Sequence, residues 1–321
     1  MAGTTLTTTT GITDQIQRYF DKKLLTQTLK TIVLDQFAFK APLPGKAGAK
    51  TIRFFRYPES NTTDVLGVTE GTLRTVAESK QLSLTSVDVA LAQYGQTVTI
   101  SDLLSAVELF STMEQATVQN GQDAALKVDE LLRNILGDSS AIQLRYAGAA
   151  TNYATVGGTD DAMTALDILD AATNLRVNNA RPSGGYFTAI MAPEVARDLM
   201  NDDDWLEASK YGNPDNLFKG EVGRYMGVRV VSTTNPYRQT TQHTYAAAGS
   251  IYSTFVVGDQ SYGGVNLATM SAYSPKMVIS QGADKYDPLA QYTTVGFKFY
   301  YGGAIINANH AVNIASVTNY S

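Results

Sequence analysis

Cysteine is absent from the chain. Disulfides, thiolate nucleophiles and cysteine-ligated zinc are thereby excluded. Histidine is nearly absent too: His243 stands in the polar stretch RQTTQHT, and His310 lies far away in an alternating, strand-like pattern. Neither has a framed nucleophile and carboxylate nearby, so a Ser-His-Asp mechanism finds no support. Charge is sparse, 17% of residues against about 25% in ordinary domains. The net charge is -5, and no basic run exceeds the pair Lys22 and Lys23. A broad basic face that grips nucleic acid is therefore not expected. There is no run of about 18 apolar residues, as a membrane-spanning helix needs. The opening MAGTTLTTTTG lacks the charged start and apolar stretch of a secretory signal. The expectation is a soluble chain that is not exported.

Thr, Ser, Asn, Gln and 18 tyrosines fill the place of the missing charge. Interface centres are depleted in charge and enriched in Tyr. The composition therefore fits a surface that meets other proteins; it fits a sparsely charged monomer as well. The hydrophobic fraction of 44% is enough for a buried core. A length of 321 residues predicts roughly two domains.

Residues 1–11 are threonine-rich and of low complexity. Helix-like spacing follows from Ile12 to Leu34 (Ile12, Ile16, Phe20, Leu24, Leu25, Leu29) and stops at APLPG, 41–45. Residues 50–100 read as extended chain, with TIRFFRY rich in β formers and LSLTS and VDVAL alternating with period two. The alternation changes phase between Leu84 and Val87, as at a bulge or bend. This segment predicts a long projecting hairpin, which is marginal alone and needs a cover from outside. A single long helix is then expected from Ser101 as N-cap to Gly137 as C-terminal cap, roughly 36 residues and about 54 Å. Gly121 is a candidate bend in it, and a coiled coil is the competing reading. Beyond residue 160 the pattern is α/β: a helix over Ala162–Val177, a strand in YFTAIMA, a helix in PEVARDLM opened by Pro193, and strands in VRVVS and STFVVG. Residues 295–317 return to extended chain, with Gly302 and Gly303 expected at a bend or bulge. The fold class is α+β with two appendages.

Three glycines, Gly220, Gly223 and Gly227, precede VRVVS. A phosphate loop needs G-x-x-x-x-G-K-[ST] ahead of a helix, and a dinucleotide loop needs G-x-G-x-x-G. The stretch GEVGRYMG has neither spacing, runs into a strand, and carries Glu221 where a phosphate would sit. These glycines are therefore turn positions. The run Asp202, Asp203, Asp204 lacks the spacing of a calcium loop and reads as a helix N-terminus, as does the pair Asp160 and Asp161. No residues are assigned to catalysis, to a cofactor or to a metal, and the chain is not expected to be an enzyme.

Several segments, in order, resemble the major capsid (coat) proteins of tailed bacteriophages with the Hong Kong-type capsid fold. They are ALAQYGQTVTISDLL (90–104), GYFTAIMAPEVARDLMNDDDW (185–205), LFKGEVGRYMGVRVVST (217–233), STFVVGDQSYGGVNL (253–267) and DPLAQYTTVGFKFYYGGAIINANHAVNIASV (287–317). The resemblance implies an N-terminal arm (1–47), an extended β-hairpin loop (48–100), a peripheral domain with a long spine helix (101–158), an axial domain (159–289) and a return to the peripheral domain (290–321). It implies self-assembly into hexamers and pentamers of an icosahedral shell. That shell encloses double-stranded DNA without sequence-specific binding, and the chain has no membrane association. It leaves places for portal, scaffolding and decoration proteins, and implies assembly in the host cytoplasm and residence in the virion. Arg53, Arg56, Glu70, Glu221 and Arg224 are the subunit-interface candidates it suggests, with Gly220, Gly223 and Gly227 shaping a backbone turn. An encapsulin-like bacterial nanocompartment shell around cargo enzymes is the alternative within the same fold.

Overall fold

The computed structural model describes residues 32–43, 50–58, 70, 82–107, 111–157, 161–211, 223–239, 251–267, 276–280 and 287–320. Among them the chain forms β1 (Phe39–Leu43), β2 (Thr51–Arg56), β3 (Thr85–Ala90), β4 (Ala92–Ser101), α1 (Asp102–Val107), α2 (Thr112–Gly137) and β5 (Gln143–Tyr146). These are followed by α3 (Ala165–Val177), β6 (Phe187–Met191), α4 (Pro193–Met200), α5 (Asp203–Tyr211), β7 (Arg224–Tyr225), β8 (Val228–Ser232) and β9 (Tyr237–Arg238). The last strands are β10 (Tyr252–Val257), β11 (Tyr262–Leu267), β12 (Lys276–Ser280), β13 (Tyr292–Ile305) and β14 (Ala311–Ser316). The architecture is mixed α+β, built on two sheets and one small hairpin.

The first sheet is organised by β13. Its residues 292–301 pair antiparallel with β4 on one side, while β12 and β11 pair with successive parts of its other side. β1 extends the sheet by pairing parallel with β11. Period-two alternation puts Val295, Phe297, Phe299 and Tyr301 of β13 on one face. There Phe297, Phe299 and Tyr301 meet α2 through Ala124, Val128, Leu132 and Leu136, all fully buried, and Val295 meets it through Ala116. Asn120 Nδ2, buried on the same helix, donates to Val295 O at 3.3 Å. A polar residue at a core position thus registers the helix on the strand.

The second sheet has the order β5-β14-β10-β6-β8-β7, with β9 on β10. β6 and β8 are parallel, as the intervening α4 and α5 require of a crossover connection. Strands β6, β10 and β14 are buried along their whole length because both faces are covered. On one face, Ile168, Leu175, Val195 and Leu199 of α3 and α4 pack against Phe187, Val228 and Val312. On the other, Ile190, Phe255 and Val257 meet the C-terminal end of α2, so that this helix joins the two sheets.

The local signals explain most helix ends. Thr164 accepts from the Asp167 amide while the Asp167 carboxylate accepts from the Thr164 amide, a reciprocal capping box at α3. Pro193 opens α4 in its first turn. Asp203 and Asp204 begin α5, and Asp202 Oδ2 accepts the Ala165 amide at 2.7 Å, so the acidic run serves two helix starts. Asp161 has a different role from the expected helix cap: it is buried and its Oδ2 accepts the Gly157 amide at 3.0 Å.

Four expectations are corrected. The helix expected over 101–137 is two helices, because Ser111 is extended and accepts from the Glu114 amide, starting α2 afresh. Gly137 is the last residue of α2 rather than a cap beyond it. A Cβ there would stand 2.3 Å from the Tyr237 ring, whose hydroxyl donates to Asp138 Oδ1 at 2.6 Å. Gly302 and Gly303 lie inside the continuous strand β13, where a Cβ on Gly302 would come within 2.5 Å of Ala90 O and one on Gly303 within 2.9 Å of Ile135 Cδ1. They permit close packing and make no bend. The extended region 50–100 divides at Leu91, whose amide donates to Lys50 O: β2 and β3 form the hairpin, while β4 belongs to the first sheet. The helix expected over 12–34 lies outside the described residues except at its end, where Leu34–Gln36 is a 3-10 turn.

Candidate assembly surfaces

The hairpin of β2 and β3 has two unlike faces. In register, Phe54 opposes Val87 and Ile52 opposes Val89. Phe54 and Val89 are buried against Val265 and Ile306, which fixes the hairpin root to the first sheet. Residues of the other parity face away. Arg53 donates bidentately to Asp88 through Nε and Nη2 at 2.6 and 2.8 Å, directly across the strands. The pair holds Asp88 below, and Arg53 above, the usual value. Both ends face water, so it orders the hairpin more than it stabilises it. Next to it Phe55 is 62% exposed and Tyr57 65% exposed, and Leu82 and Leu84 are exposed on the approach to β3. These exposed apolar side chains make the outer face of the hairpin a candidate contact surface.

Arg56 closes the hairpin onto the body by donating from Nη1 to Asn307 Oδ1. Asn307 also caps the 3-10 turn Ala308–His310. Glu70 is exposed in a turn. A second exposed apolar group lies at α1, which has no buried residue and presents Leu103, Leu104 and Val107. The Asp102 amide donates to Gln291 O, which brings α1 beside exposed Leu289 and Tyr292.

The glycine stretch is described from Gly223 onward; Gly220 and Glu221 lie outside the described residues. Arg224 and Tyr225 pair with Arg229 and Val228, leaving Met226 and Gly227 as a two-residue turn. Both have positive φ, 47° and 89°, the geometry of a type I′ hairpin turn. Arg176 Nη2 donates to Met226 O at 2.7 Å. A Cβ on Gly227 would lie 2.8 Å from that same nitrogen. The turn therefore joins a strand pair, and the spacing GEVGRYMG is not that of a phosphate loop. Arg224 lays its guanidinium 4.5 Å from the Tyr186 ring centre, on the side of β7 away from the Trp205–Tyr225 contact. Of the interface candidates among the described residues, Arg53 and Arg56 share the hairpin, Arg224 belongs to the second sheet and Glu70 stands in an exposed turn.

No group of three metal-ligating side chains is present among the described residues. His310 packs its Nδ1 2.9 Å from Asp259 O at the end of the 3-10 turn. His243 lies outside the described residues. No described helix is long and apolar enough to cross a membrane.

No family model matches the sequence, and no curated protein does either. Solved structures do match. The capsid of Ralstonia phage GP4 aligns over 90% of this chain and 92% of its own, with a TM-score of 0.67 at 14% identity. The capsid of cyanophage Pam1 aligns over 92% and 93%, with a TM-score of 0.67 at 17% identity. That of cyanophage P-SCSP1u aligns over 90% and 89%, with a TM-score of 0.65 at 17% identity. At these identities the likeness shows a common fold: the chain is folded as phage capsid chains are.

Proposed function

We propose that the chain is the major capsid protein of a tailed bacteriophage, a non-enzymatic subunit that assembles with copies of itself into an icosahedral shell around double-stranded DNA. The observation that carries this reading is the alignment of about nine-tenths of the chain with whole capsid chains from several phages. The apolar outer face of the β2–β3 hairpin agrees with it: the inner face packs on the first sheet, while Phe55 and Tyr57, exposed among the described residues, gain by lying on another copy. In this reading the fold is of the Hong Kong type. Residues 1–47 are the arm, 48–100 the extended loop, 101–158 and 290–321 the peripheral domain and 159–289 the axial domain. Hexamers and pentamers form the shell, which resides in the virion after assembly in the host cytoplasm. Portal, scaffolding and decoration proteins are its further partners. A nanocompartment shell has less support, since the virus-like particle from Pyrococcus furiosus aligns with a TM-score of 0.55, below those of the phage capsids above.

Electron microscopy of the purified protein tests the proposal. Closed shells or hexameric sheets are expected. A species that stays monomeric across protein concentration, salt and added scaffold would overturn it.

A further inference from the structure

The segment that leads into β1 is held on α2 by buried carboxyl groups. Asp129 of α2 accepts the Val33 amide through Oδ2 at 2.9 Å and the Leu34 amide through Oδ1 at 3.1 Å. It thereby starts the 3-10 turn that contains Asp35. Asp35 is fully buried, and its Oδ1 accepts from Tyr301 of β13 at 2.7 Å. Tyr262 of β11 donates to Leu34 O at 2.5 Å. Lys40 of β1, half exposed, stands 3.5 Å from Asp35 Oδ2 and is the one cation that the described residues place against the pair. Two acidic groups are therefore enclosed together with two phenols and a single, partly solvated ammonium.

We propose that this cluster is a proton-operated latch: a proton taken up by the Asp35–Asp129 carboxyl pair tightens the hold of residues 32–38 on α2, and its loss loosens that hold. Burial penalises the ionised form of Asp129 more than the amides of Val33 and Leu34 favour it, and raises the group from 3.8 to about 6. Burial raises Asp35 as well, against the opposing effects of Tyr301 and Lys40. When the segment leaves, Asp129 returns to water and to its ordinary value. A group whose attached-state value is raised adds stability to the attached state that is complete below 3.8 and disappears as pH rises through about 6. For Asp129 alone the ratio of attached to detached segment rises about tenfold between pH 7 and pH 5, and Asp35 acts in the same direction. The latch depends on contacts within one chain and is independent of the shell reading.

Amide hydrogen exchange on the full-length protein tests it, with rates corrected for the intrinsic pH dependence of exchange. Protection of the peptide covering residues 32–38 should be about tenfold greater at pH 5 than at pH 7, while a peptide from β14 changes far less. Asp129→Asn should flatten this response and leave β14 protected. If that variant does not fold, Asp35→Asn should reduce the response, and the wild-type profile is decisive by itself. Protection that stays constant or falls on acidification, or a full response retained in Asp129→Asn, would overturn the latch.

Discussion

Replacing both Phe55 and Tyr57 by serine removes the apolar outer face of the hairpin and leaves its packed inner face alone. Full burial of such a side chain is worth about 1.5–3 kcal/mol. With 62% and 65% of the two residues still open, cover by a neighbouring copy in the proposed shell would contribute about 1–2 kcal/mol each, or about 3 kcal/mol together. This is an upper figure, because ordering the contact costs part of it. It corresponds to about a hundredfold in association. Light scattering against protein concentration, with microscopy of the products, should show assembly beginning at roughly a hundredfold higher concentration. Circular dichroism and the unfolding midpoint should stay at the wild-type values. Phe54→Ala supplies the contrast: this residue points inward to Val89, Val265 and Ile306, and its loss should cost about 3–5 kcal/mol of stability. Assembly of the double serine variant at the wild-type concentration would refute the claim that this face makes a contact.

Gly302→Ala should destabilise by about 1–3 kcal/mol in urea unfolding, since its methyl would meet the Ala90 carbonyl, which moves only with the backbone. Met226→Asn should raise the melting temperature, gaining about 0.5–1 kcal/mol, because Asn tolerates the left-handed geometry of a type I′ turn that Met strains to adopt. Thr164→Ala should lower stability by about 1 kcal/mol through loss of the α3 capping box, read as a lower urea midpoint with unchanged slope.

Where an element is specified by its own neighbours, the sequence is readable. Pro193 and the Asp202–Asp204 run announce helix starts, and the short β-rich runs VRVVS and STFVVG coincide with β8 and β10. The break before α2 was also readable: Ser111 followed by Glu114 is a capping-box spacing, hidden by apolar residues that keep helical period across it. Gly302 and Gly303 mislead because the atoms that exclude a side chain there belong to Ala90 and Ile135, far away in sequence. The Asp35–Asp129 cluster has no local signature, since Leu34 and Asp129 are 95 positions apart. The outward face of the hairpin was half legible. Alternation marks Phe55 as opposite to Phe54, but only the packing of Phe54 on Val265 and Ile306 tells which face is free.

The placement of β13 and β14 has a consequence for the order of events during synthesis. β13 is the strand to which β4, β11 and β12 all attach, and β14 lies between β5 and β10. Both sheets therefore have an interior strand taken from residues 292–316. While the ribosome is making the first nine-tenths of the described chain, β4 has no partner for its long edge and β10 lacks one of its flanks. At about 5–20 residues per second, α2 waits for seconds before Phe297 and Phe299 arrive to cover it. A nascent chain thus holds its sheets open until late, and a product that stops before residue 292 keeps the β10-β6-β8-β7 strands and the β1-β11 pair but lacks the strand that joins β4, β11 and β12 and the one that joins β5 to β10.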